Sequence, residues 1–224
     1  MATRTERVDA AATRARLVAA AEKLYAERGL DAVSLVEIGK AAGQRNRSAV
    51  QYHFGDKGAL LAAIRAKHAP GIEERRSGML DALGSTRRPP LRRLAEALVV
   101  PVAEKLQDPD GGEAYVRLNA ALLGHPRFPL ISRGAWRGNR TAERLFGLIA
   151  GATPALPEPL REPRILLVTG LVFHGLADNA RLAKRRGSTT AWRLYVCHLV
   201  DCVTALLRAP VSSATRVPLE GDSD

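Results

Sequence analysis

The chain has 224 residues, enough for one large domain or for a small domain beside a medium one, with no need of a covalent staple. Its 34 basic residues against 23 acidic give a net charge of +11, which favours an anionic partner such as nucleic acid, although an Arg- and Ala-rich composition gives the same balance without one. No apolar run approaches the roughly 20 residues of a membrane span, and residues 1–12 carry Arg4, Glu6, Arg7 and Asp9 where a signal peptide is apolar, so a cytoplasmic protein with no membrane partner is expected.

Residues 1–12 read as a flexible arm. From Thr13 to Arg28, Leu17, Ala21, Leu24 and Tyr25 form one apolar stripe at helical spacing, and Gly29 ends the helix. Ser34-Leu35-Val36-Glu37 is a capping box: hydroxyl and carboxylate each satisfy an orphan amide, opening a helix of about two turns that Gly43 stops. The polar stretch Gln44 to Ser48 leads into Ala49-Val50-Gln51-Tyr52-His53-Phe54, and Asp56 caps the next helix from Lys57. Three short helices with a Gly-containing turn before the last have the outline of a helix-turn-helix, predicted over residues 13–58.

The fourth helix is predicted to kink or break at Pro70-Gly71 before continuing to Leu83. Further helices are expected at Leu91 to Gln107, at 113–123 and at 130–151, with Asp108 to Gly112 as a loop. A Pro-rich connection from Thr153 to Pro163 precedes an apolar helix over Arg164 to Lys184, and a last helix spans Thr189 to Arg208. With no strand alternation, the fold class is all-α: the helix-turn-helix domain, then a helical domain over 59–208 and a disordered tail over 209–224.

The segments Leu24-Tyr25-Ala26-Glu27-Arg28-Gly29, Val33 to Gly43, Tyr52-His53-Phe54, Lys57 and Leu60-Leu61 resemble the DNA-binding domain of the TetR-like bacterial transcriptional regulators in order and in near-family spacing. Between Gly43 and Phe54 the chain has one residue more than the common pattern, and Gln51 stands where the family usually has Tyr, with Tyr52 beside it. The resemblance implies a homodimer on a double-stranded DNA operator of two-fold symmetry, a repressor released by a small-molecule ligand, and a dimer interface built by the last two helices. The alternatives are a helical protein-interaction module, or an activator without a small-molecule inducer.

Arg pairs with guanine and Asn or Gln with adenine in the major groove, so Arg45, Asn46, Arg47 and Gln51 are the candidate base readers. Which of Arg45, Asn46 and Arg47 faces the bases is left open by the extra residue. Ser34, Ser48, Tyr52, His53 and Lys57 suit phosphate, with plain packing as the alternative for Tyr52 and His53. A ligand among the middle helices would meet Tyr115, Asn119, Trp136, Phe146, Phe173, His174 and Asn179, with His174 as the foremost polar contact. Ile165, Val168, Val172 and Leu176 on one helix and Trp192, Val196, Leu199, Val203 and Leu206 on the other form the expected dimer seam.

An enzyme is not expected, nor a metal or other cofactor: the five His residues lack metal-ligand spacing, and no phosphate loop or activated nucleophile is recognisable. The two cysteines, Cys197 and Cys202, point apart on one helix and read as small buried hydrophobes.

Overall fold

The computed structural model describes residues 4–84, 86, 88–128, 139–186 and 189–216, with the side chains of 4–7 and 183–190 excepted. Among the described residues there are helices and turns but no strands. The helices are α1 (Arg4–Arg28), α2 (Leu35–Ala41), α3 (Ala49–Phe54), α4 (Lys57–Asp81), α5 (Leu91–Lys105), α6 (Gly112–Leu122), α7 (Arg140–Ala152), α8 (Glu158–Arg186) and α9 (Thr189–Arg208).

α1 starts at Arg4, not at Thr13, so residues 4–12 are its first turns and not a separate flexible arm. The stretch Thr5 to Ala12 contains no Gly or Pro, and its three alanines favour helix. At the other end, residues 213–216 form a helical turn within the segment expected to be a disordered tail; the tail beyond Arg216 lies outside the described residues.

α4 runs unbroken through Pro70. The proline removes one intrahelical hydrogen bond, and the helix persists because Leu60, Leu61, Ile64, Ile72 and Leu80 are all buried along it, before and after the proline. α5 is deeply buried, with Leu94, Ala95, Ala97 and Val99 fully enclosed, and it packs on α4, α6, α7, α8 and α9. It too contains a proline. Pro101 has no N–H to give the carbonyl of Ala97 four residues back, and the Arg76 Nε of α4 donates to that oxygen instead, at 3.0 Å.

α8 starts at Glu158 and takes in Pro163, so the helix reaches well into the expected Pro-rich connection. By length and composition the segment Glu158–Leu182 could cross a membrane. Its Ile165, Val168, Val172 and Leu176 are instead buried within the protomer against α5, α6 and α9, and Leu199 and Val203 of α9 are buried too. These six residues were expected at the dimer seam. They sit in the core because α8 and α9 turn their most apolar stripes inward onto α5 and α6, which leaves a less apolar stripe outside. Trp192, Val196 and Leu206 are half-buried against the same core. Cys197 is exposed and Cys202 half-buried, so the pair does not form the two buried hydrophobes expected.

Candidate functional site

The second helix of the helix-turn-helix is fixed at its start by the predicted capping box. The Glu37 amide donates to Ser34 Oγ at 3.2 Å, while the Ser34 amide and hydroxyl both donate to Glu37 Oε2 at 2.8 Å. These bonds, with Arg28 at 2.8 Å, hold the Glu37 carboxyl down at about 2. The single proton of the Ser34 hydroxyl is thus already used, and Ser34 serves α2 directly.

Gly43, at φ +72°, turns the chain out of α2, and its amide returns to the Lys40 carbonyl at 3.0 Å. The Asn46 side-chain oxygen then accepts from the Ser48 amide at 2.9 Å and its carbonyl from the Ala49 amide at 3.1 Å, so Asn46 folds the turn that launches α3.

α3 buries Ala49, Val50 and Phe54 and leaves Arg45, Asn46, Arg47, Ser48, Gln51 and Tyr52 exposed. Tyr52 is 84% exposed, which answers the packing alternative for it, and its ring lies edge-to-face with His53 at 5.2 Å between centroids. Arg14 of α1 holds the end of α3, donating to the His53 carbonyl at 2.9 Å and lying 4.2 Å over the Phe54 ring. Lys57 donates to the Leu30 carbonyl at 2.8 Å, so it braces the turn after α1 as well as standing near α3. Arg14 and the exposed Lys40 were missed in the sequence, Arg14 because its role depends on a partner 39 residues away.

Residues 17–64 match the family model described as bacterial regulatory proteins, tetR family. Residues 17–64 are thus a tetR-family domain, which makes the chain a DNA-binding regulator. The match covers the C-terminal half of α1, all of α2 and α3, and the start of α4, and α5 to α9 lie outside it. No curated protein matches the chain.

Beyond this tetR-family domain, a cavity of about 210 Å³ opens among α4, α5, α6, α7 and α8. It brings together four of the expected ligand residues, Tyr115, Asn119, Phe146 and Phe173. Trp136 lies outside the described residues. His174 is exposed and, like Asn179, does not line the cavity; one residue along a helix is a turn of about 100°, so Phe173 facing inward carries His174 away. The dimer-seam candidates Ile165, Val168 and Val172 line the cavity instead. Burial pushes the Tyr115 hydroxyl up to about 12, so it stays protonated.

A wider groove of about 910 Å³ lies between α7, the start of α8 and the end of α9. It touches no residue of α4 or α6, the two helices through which the cavity reaches α1.

That reach is polar at its centre. Glu22 of α1 and His68 of α4 are each about 1% exposed, and Glu22 Oε1 meets His68 Nε2 directly. Lys67 donates to Glu22 Oε2 at 3.0 Å and pairs with Asp110 at 2.8 Å. Burial alone would lower Lys67, but the Asp110 and Glu22 carboxylates outweigh it and raise its pKa. The His68 ring lies 4.6 Å from the Tyr115 ring, which lines the cavity. A second link joins Asp31, after α1, to Arg127 at 2.5 Å and His125 at 3.3 Å.

Proposed function

We propose that the protein is a homodimeric repressor that binds a two-fold symmetric operator and is released when a small molecule fills the cavity between α4 and α8. In this reading residues 13–58, together with the earlier turns of α1, form the DNA-binding unit and 59–208 the sensing and dimerising unit. The observation that carries the reading is the two-sided build of α3. Val50 and Phe54 hold it to the body while Gln51 and Tyr52 stand free on its other side and Arg45 and Arg47 are exposed in the turn before it, as a helix entering a major groove requires. Asn46 shapes the turn, and Arg14 and Lys40 join Ser48, Tyr52 and His53 at phosphates.

Two copies associate through the outer stripe of α8 and α9, where Leu167 is 63% and Leu194 73% exposed beside His174 and His198. A ligand against Tyr115 bears on His68 and through it on Glu22, so occupancy favours a placing of the DNA-binding units that does not fit the operator.

Selection of bound duplexes from a random library tests the reading. Enrichment of a palindrome is expected, with affinity falling steeply with salt by about 0.9 log units per log unit for each phosphate neutralised. No enrichment at low salt would shift the assignment to a protein-interaction module.

A further inference from the structure

The cavity carries polar atoms that the protein itself leaves unused. Asn119 is 1% exposed; its amide nitrogen donates to the Tyr115 carbonyl at 2.7 Å, which fixes the orientation of the amide, and its Oδ1 has no partner. Glu73 also lines the cavity, and its Oε2 is buried and unpartnered, while Oε1 accepts from Arg76 Nη1 at 2.6 Å. A buried acceptor without a donor is costly, so two of them in one cavity mark places that a ligand's donors would fill.

The cationic group beside them is already paired with a carboxylate, which weakens its pull on an anion. Arg76 spends Nε on the Ala97 carbonyl orphaned by Pro101 and Nη1 on Glu73, and the Glu73 charge offsets its own. The remaining walls are apolar, among them Ile72, Leu98, Val102, Phe146 and Val172.

We propose that the ligand class of this cavity is a compact, neutral, largely apolar molecule that presents a hydroxyl or N–H donor to Asn119 Oδ1, the more buried of the two acceptors, and a second donor, where it has one, to Glu73 Oε2. This rests on the reading of the cavity as the sensing site. A site built around acceptors rejects the analogue that lacks the donor, because the buried oxygens then stay unpaired. It also disfavours a carboxylate, which would face oxygen with oxygen.

Equilibrium dialysis of the full chain with 2-naphthol, naphthalene and 2-naphthoate tests the assignment. The unaltered chain is expected to bind 2-naphthol at least tenfold more tightly than either of the others. Asn119→Leu should remove that preference while keeping naphthalene binding, and Thr169→Phe, which fills the cavity from α8, should abolish all three. The comparison of the three probes on the unaltered chain decides the matter even if Asn119→Leu does not fold. Equal binding of 2-naphthol and naphthalene, or a preference for 2-naphthoate, with loss in Thr169→Phe, overturns the donor assignment and leaves the cavity as the sensing site. Absence of binding, or binding that ignores Thr169→Phe, overturns the sensing cavity itself.

Discussion

Glu22 of α1 meets His68 of α4 carboxylate to imidazole, with both side chains sealed from solvent. The first helix and the helix that leaves the DNA-binding unit therefore share a polar contact that water cannot replace. Glu22→Ala leaves His68 and Lys67 facing a void, and breaking a buried pair in this way costs about 3–5 kcal/mol. Urea denaturation should show a loss of that size; a change under about 1 kcal/mol would contradict the account.

The loop before α6 should be equally intolerant. Gly111 has φ +83°, and a Cβ there would press into the Glu22 carboxylate, which His68 and Lys67 hold in place. Gly111→Ala combines left-handed strain of about 1–3 kcal/mol with that collision. At Gly112 a Cβ would strike the backbone oxygen of Lys105, which cannot swing aside. Thermal denaturation should find both variants less stable than wild type, and Gly112→Ala the worse.

Substitutions on α8 and α9 should separate assembly from folding. Leu167→Glu and Leu194→Glu alter exposed positions and are expected to give folded monomers by light scattering, with weakened operator binding. Leu199→Ala removes a side chain only 3% exposed and should cost the protomer about 2–5 kcal/mol without being selective for the dimer. If the Leu194→Glu chain remains dimeric, the outer stripe is not the interface.

Glu37 offers a test in pH. Its carboxyl is held at about 2 against an ordinary 4.5, so the stability it lends to α2 is complete above 4.5 and is lost as pH falls from there toward 2. A carboxyl chemical-shift titration by NMR should place its midpoint near 2, and a midpoint above 4 would mean that the capping box is open in solution.

Much of the DNA-binding unit was legible in the sequence because its signals are local. Ser34 and Glu37 cap each other three residues apart, and Asp56 accepts from Ala59, also three residues on. The limits of α3 and α9 came out as expected for the same reason. The core side of α8 and α9 was legible as apolar periodicity, but periodicity does not say whether an apolar stripe meets a second copy or the rest of the same chain. That ambiguity put Val168, Val172 and Leu199 at the wrong surface. Cavity residues such as Glu73 and Arg76 were missed because their meaning depends on Pro101 and Ala97 of another helix. His174 was singled out by chemistry alone, and a single step around the helix carried it outside.

The unbroken course of α4 sets Lys57 and Ile72 at unequal distances from His68. At about 1.5 Å per residue, Lys57 stands roughly 16 Å from His68, and Ile72, at the cavity, only about 6 Å on the other side. With His68 as fulcrum, a tilt that moves Ile72 by about 1 Å carries Lys57 nearly three times as far in the opposite direction. Lys57 in turn grips the Leu30 carbonyl just after α1, so under the proposed release mechanism a small displacement at the cavity would reach the helix-turn-helix enlarged.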